Sequence, residues 1–500
     1  MRQATITLDI ADVVAPARRR IFGSFVEHLG RAVYGGIYEP GHPSAGEDGL
    51  RQDVIDLIRD LGVTTVRYPG GNFVSGYRWK DGIGPKQARP RRLDLAWHST
   101  EPNQFGVDEF MAWSRRTGTE AMMAVNLGTG GIQEAVELLE YCNHSSGTEL
   151  SDLRRANGAL DPYDIRVWCL GNEMDGEWQI GHKTASEYGR LAAETARAMR
   201  MFDPGLVLVA SGSSSAEQPT FGSWEAEVLL EAYDQIDLIS AHQYHWETNG
   251  DLQGFLASGA RMDRFIEDII ASADHIRARL RSNKRVNISF DEWNVWYLHD
   301  DASQPPTGTD WPVGPRLLED HYNVADAVVV GSLLISLLKH ADRVEAASLA
   351  QLVNVIAPII TEPGGPAWRQ TIFHPFAQAA NNASGEVVRL AVQAPRLDRE
   401  DLADVTLLDA VATNDSGVVT VFIVNRCATD RVQVTLDLRS VGGYVPRQCT
   451  VLTDTDLRRV VGPHDSQHFG PIPLKATWDD DGAVLDLPRA SWAMVQVGAK

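Results

Sequence analysis

Residues 165–173 read IRVWCLGNE: a short, largely apolar run, closed by a glycine and followed by an amide and a carboxylate. The run is strand-length and rich in residues that fill a core, and Thr184–Phe202 downstream repeats at helical spacing. Seven other stretches have the same grammar: IFGSF (21–25), VTTVRY (63–68), AMMAVNL (121–127), LVLVA (206–210), IDLISAH (236–242), VNISFDE (286–292) and AASLAQL (346–352). Amphipathic segments separate them, among them 49–61, 107–117, 261–281 and 321–340. Eight strand-then-helix units predict an α/β fold whose parallel strands close into a (β/α)8 TIM barrel.

Beyond about residue 380 the pattern changes to short strands punctuated by Gly, Asp and Asn, such as LDAVATN, GVVTVFIVNR and RVQVTLDL. That predicts a C-terminal antiparallel β-sandwich, jelly-roll-like. The opening stretch ATITLDI falls outside the barrel count, and an edge of the sandwich is its simplest home. The expected domains are therefore 1–17, an N-terminal strand joining the sandwich; 18–382, the catalytic barrel; and 383–500, the sandwich.

The 500 residues carry a formal charge of −21, which repels phosphate backbones and anionic headgroups and argues against nucleic-acid or membrane partners. The run 328–338 is too short to span a bilayer and reads as a buried barrel helix. The N-terminus lacks the apolar core and cleavage site of a secretory signal. Cys142, Cys169, Cys427 and Cys449 have no CxxC pairing, so neither a zinc site nor a disulfide framework is expected. A cytoplasmic location follows as an expectation.

In such a barrel the chemistry lies at the C-terminal ends of the strands. There the sequence places Glu27 and His28, Arg67 through Asn72, Asn126, Asn172-Glu173, His242-Gln243-Tyr244, Asp291 through Asn294, and Gln351 with Asn354. Glu173 and Glu292 make the strongest pair. Glycosidic cleavage needs one carboxyl group to protonate the leaving oxygen and, in a retaining enzyme, a second to attack the anomeric carbon. Glu173 must then be protonated when substrate arrives, and Glu292 ionised with donors around it. Arg67 is the available fixed cation, to orient the nucleophile or to pair with a structural carboxylate. Asn172 suits a sugar hydroxyl, provided strand four has ended before it. His28, His182 and His242 lack metal-ligand spacing, so no metal is expected.

FVEHLGRAVYGGIYEPGHP (25–43), RYPGGNFVSGYRWKDGIGP (67–85), WCLGNEMDGEWQIGHKT (168–184), SFDEWNVWY (289–297) and AQLVNVIAPI (350–359) run across most of the predicted barrel. In these stretches the chain resembles the α-L-arabinofuranosidases of glycoside hydrolase family 51. The resemblance implies Glu173 as acid/base and Glu292 as nucleophile. It also implies that Glu27, Asn72, Asn172, Tyr244 and Gln351 bind the arabinofuranose, with Trp97 and Trp296 near it. The implied activity is retaining, exo-acting hydrolysis of terminal non-reducing α-L-arabinofuranosyl residues from arabino- and arabinoxylo-oligosaccharides by double displacement. No cofactor is implied, and the chain is expected to be a homo-oligomer, often a hexamer in the family. One local departure follows Tyr244, where His245-Trp246-Glu247 stands in place of a second aromatic; this loop is expected to shape the leaving-group side. The competing readings are a β-1,4-glucan-cleaving enzyme of the same family, a metal-dependent lyase with Glu27, Glu173 and Glu292 on Mg²⁺, and a sugar-binding protein with a dead site.

Overall fold

A computed structural model describes residues 2–298, 304–397, 399–402 and 404–499. Eight parallel strands close into a barrel: Gly23–Phe25, Thr65–Tyr68, Glu120–Val125, Val167–Leu170, Val207–Ala210, Leu238–His245, Asn287–Val295 and Val344–Leu349, which we number one to eight. Alternation along the strands divides two cores. Met122, Ala124, Val167, Cys169, Val209 and Leu238 pack together in one cluster, whereas Met123, Val125, Trp168, Leu170 and Leu208 join the larger one. Both faces are therefore buried, which is why these strands read as near-continuous apolar runs.

The apolar run 328–338 lies in the helix Val324–Lys339, buried from Val324 to Leu338. It packs between barrel strands and the C-terminal sheet, so it has no solvent face to make polar. At Gly331 a side chain would strike the ring of Trp492, 2.4 Å from the position of a Cβ, so glycine is what lets the sheet approach.

The C-terminal sheet has ten strands and gathers residues from Val388 through Val497 around its own core. Arg2–Pro16 is not at its edge, as the sequence suggested. It lies inside the sheet, antiparallel to Glu386–Gln393 on one side and parallel to Val432–Asp437 on the other. Its inward residues Ala4, Ile6 and Leu8 are buried, and an edge position would leave one row of backbone groups unpaired. Among the described residues no helix is long and apolar enough to cross a membrane.

Candidate active site

Two local irregularities aim the acidic side chains into the barrel mouth. Strand four stops at Leu170, and Gly171 (φ 91°) and Glu173 (φ 43°) both take left-handed conformations. The turn frees Asn172 and Glu173 from strand alternation, so both reach the site. A left-handed non-glycine residue costs on the order of 1 kcal/mol, which the hydrogen bonds described below offset. In strand seven the pairing register slips between Ser289 and Glu292. In a regular strand Asp291 and Glu292 would face opposite sides; the slip lets both approach Arg67. Glu292 comes to rest beside His242 in register, and Asn294 beside Tyr244.

Arg67, 1% exposed, donates from Nη1 to Glu292 Oε1 at 2.9 Å and from Nη2 to Asn172 Oδ1 at 2.6 Å, with Asp291 Oδ2 3.6 Å from its Nε. The Tyr244 hydroxyl donates to the other Glu292 oxygen at 2.7 Å. His242 Nδ1 is 2.9 Å from Glu173 Oε1 and 3.6 Å from Glu292 Oε2, and its Nε2 is 3.4 Å from Asp291 Oδ1. The second Glu173 oxygen accepts from the Trp178 indole N–H at 2.8 Å. Burial alone would lower the His242 pKa, but Glu292, Asp291 and Glu173 together raise it to about 10, so the imidazole is a cation. Burial pushes the Glu292 carboxyl up, with the charge of Glu173 adding, against the downward pull of His242, Arg67 and the Tyr244 hydroxyl. Oxygens of Glu173 and Glu292 and a nitrogen of His242 all lie within 4.8 Å of one another.

A second cluster stands across the mouth. Glu27 accepts from the Phe73 amide at 2.9 Å, the Trp97 indole at 2.7 Å and the Gln351 amide at 3.0 Å. Burial drives its carboxyl up to about 8, opposed by the donors from Phe73 and Trp97. The neighbouring glycine is required: at Gly71 (φ 65°) a Cβ would lie 2.1 Å from Glu27 Oε2. Asn72 Oδ1 accepts from Gln179 Nε2 at 3.0 Å, which also ties that side chain to the Asn172 carbonyl at 2.8 Å. Glu27, Asn72, Trp97, Glu173, Trp178, Tyr244, Glu292, Trp296 and Gln351 are among the residues lining one cavity of about 790 Å³. Its size lies within the range of about 300–1,000 Å³ typical of small-molecule sites.

Two family models match the chain: "Alpha-L-arabinofuranosidase 1 domain" over residues 57–264 and "Alpha-L-arabinofuranosidase C-terminal domain" over residues 291–491. The intracellular exo-α-(1→5)-L-arabinofuranosidase of Streptomyces lividans is 54% identical over 502 residues, covering 99% of this chain and 75% of the relative. The exo-α-(1→6)-L-arabinofuranosidase of Bifidobacterium longum is 51% identical over 509 residues, covering 99% and 98%. A solved family 51 α-L-arabinofuranosidase from Bifidobacterium longum superposes with a TM-score of 0.95 at 47% identity, over 99% of each chain. The chain belongs to the family 51 α-L-arabinofuranosidases.

For this arabinofuranosidase, His28, Asn126, Asn294 and Asn354, also expected at strand ends, bond to Glu101, Tyr77, Ile356 and Arg31, whereas the residues assigned a role in substrate handling or catalysis converge on one mouth. Arg67 and Asn172 sit beneath the cavity wall and act on it through Glu292 and Asn72; the others line it. Tyr244 and Trp296 lie on or just past extended strands six and seven, with their rings T-shaped at 4.9 Å. Three contributors had no role assigned from sequence: His242, Trp178 and Gln179. The strand-end position of His242 was a visible signal. Nothing in the spacing shows that Trp178, five residues past Glu173, folds back onto its carboxylate. By distance alone Glu173, His242 and Glu292 would admit a divalent cation. The imidazolium and the Arg67 guanidinium already supply the positive charge that such an ion would bring, so the donor set does not call for one.

Proposed function

We propose that the chain releases terminal α-L-arabinofuranosyl residues by double displacement, with Glu292 as nucleophile and Glu173 as acid/base. The observation that carries this reading is the approach of the two carboxyl groups, whose oxygens lie within 4.8 Å. Retaining glycosidases hold the pair about 5–5.5 Å apart, whereas inverting ones need about 6.5–9.5 Å to admit water between them. A Glu292 oxygen, steered by Arg67 and Tyr244, attacks the anomeric carbon as the glycosidic bond breaks. The Glu173 proton passes to the leaving oxygen. After the leaving sugar departs, the Glu173 carboxylate takes a proton from water, whose oxygen attacks the same carbon and frees Glu292. In this reading Asn72, Glu27 and Gln351 bind the sugar hydroxyls, Asn172 supports them from beneath through Asn72, and Trp97 and Trp296 lie beside the ring.

The relatives named as exo-α-(1→5) and exo-α-(1→6) enzymes support short arabino-oligosaccharides as substrates, and those named intracellular support action inside the cell. Assembly as a homo-oligomer, hexameric as the family resemblance suggests, belongs to the same proposal and is read by light scattering.

The test is hydrolysis of 4-nitrophenyl α-L-arabinofuranoside in EDTA by the native chain, Glu173→Ala and Glu292→Ala, each with and without azide. The expected result is EDTA-insensitive native activity lost in both variants, with azide yielding an inverted glycosyl azide from Glu292→Ala and a retained one from Glu173→Ala. No native activity would overturn the reading, and activity abolished by EDTA would favour the metal-dependent alternative.

A further inference from the structure

The loop after strand six carries Trp246, which lines the cavity, followed by Glu247. Among the described residues, the side-chain ion pair of Glu247 is with the C-terminal domain and not with the barrel. Its side chain, 8% exposed, receives a two-pronged ion pair from the C-terminal domain: Arg458 Nη1 to Oε2 at 2.5 Å and Nη2 to Oε1 at 2.6 Å. A guanidinium fork on a carboxylate fixes orientation as well as distance, so the clamp restrains rotation of the loop next to Trp246.

Arg458 is itself held. Its segment leaves the sheet after Tyr444–Leu452 and docks on the barrel: Leu457 and Val461 are buried in the larger core. Ala325, at the start of the helix Val324–Lys339, donates its amide to the Leu457 carbonyl at 3.1 Å, and Asn323 bridges Val460. The charge of Arg458 also bears on Asp326, in the first turn of that helix. Tyr297, next to Trp296, donates to Asp326 Oδ1 at 2.7 Å. Burial pushes Asp326 up to about 7, while the Tyr297 hydroxyl, the Asn323 amide and the charge of Arg458 pull it down. Trp296 donates its backbone N–H to the His245 carbonyl at 3.0 Å, which joins the two tryptophan-bearing segments.

We infer that Arg458 is a positioning residue through which the C-terminal domain sets the part of the cavity wall that receives the leaving sugar. The inference rests on the arabinofuranosidase reading above. The catalytic carboxylates are held by Arg67, His242, Tyr244 and Trp178, all from the barrel, so bond cleavage does not depend on Arg458. Recognition of the leaving pyranose or furanose ring by Trp246 does.

The experiment compares kcat/KM on α-1,5-linked arabinotriose and on methyl α-L-arabinofuranoside, whose leaving group is too small to reach Trp246. Native chain, Arg458→Ala, Arg458→Lys and the swap Arg458→Glu/Glu247→Arg are assayed beside their melting temperatures. The expected result is an Arg458→Ala loss of about tenfold on the triose, carried mainly by KM, with the methyl glycoside within twofold. Arg458→Lys and the charge swap recover part of the triose activity, because each keeps an ion pair at that place. Equal losses on both substrates, or no loss on either, would overturn the inference while leaving the native activity intact. A native chain inactive on both arabinosides would instead sink the arabinofuranosidase reading.

Discussion

Replacing Arg67 by Gln tests the charge balance of the site. Glu173, Asp291 and Glu292 are gathered around two cations, Arg67 and protonated His242. Arg67→Gln preserves a donor toward Asn172 but removes one positive charge at 2.9 Å from the nucleophile. Two unit charges about 4 Å apart at an effective dielectric of about 20 interact by about 4 kcal/mol, or about three pH units at 1.36 kcal/mol each. The retained hydrogen bond and relaxation reduce this, and carboxylates beside an arginine are typically held down by about one to three units. The acidic limb of kcat/KM against pH, which reports ionisation of Glu292, should therefore move up by about two pH units. Activity one unit above the native limb should fall at least about tenfold. Arg67→Lys keeps the charge and should keep the limb near its native position, with a lower plateau. Removing one partner of a buried pair can also cost about 3–5 kcal/mol of stability, so thermal melts accompany the kinetics. A folded Arg67→Gln enzyme with a pH-independent loss and an unmoved limb would refute this account of Arg67.

Trp178→Phe removes the indole donor to Glu173 and should lower kcat/KM about 3- to 10-fold, the worth of one hydrogen bond of about 0.5–1.5 kcal/mol; an effect under twofold in steady-state kinetics would remove Trp178 from the site's machinery. Gly71→Ala places a methyl group against Glu27 and strains a left-handed residue, so isothermal titration with arabinose should show weakened binding, and native affinity would contradict the geometry. His242 has a folded pKa of about 10 against an unfolded value near 6.5. Its stabilisation is present in full below about 6.5 and is lost as pH climbs through 10. Melting temperature should fall over that window in the native chain and fall less in His242→Asn; parallel curves would exclude this linkage.

The barrel was legible because its strands are buried on both faces and each ends in polar residues that a core would not tolerate. Glu173 and Glu292 stood out for that reason, and the helical spacing read over 184–202 matches the helix Ala185–Phe202. What sequence could not give was direction. Whether Asn172 reaches the site depends on a strand ending at Leu170, and whether Asp291 and Glu292 share Arg67 depends on a register slip; both are set by neighbouring strands. The N-terminal strand was assigned to the right sheet but to an edge, because its alternation records a buried face and says nothing of how many neighbours it has. Trp178 was invisible because the turn that returns it to Glu173 lies in a loop.

That first strand has a consequence for how the molecule is made. Arg2–Pro16 leaves the ribosome before any other described element, yet its partners are Glu386–Gln393 and Val432–Asp437. At about 5–20 residues per second it waits roughly 20–75 s with both edges unsatisfied while the barrel is synthesised. Until then it is an extended ribbon bearing Ile6 and Leu8, whose unpaired edges are a template for the same strand on a neighbouring nascent chain.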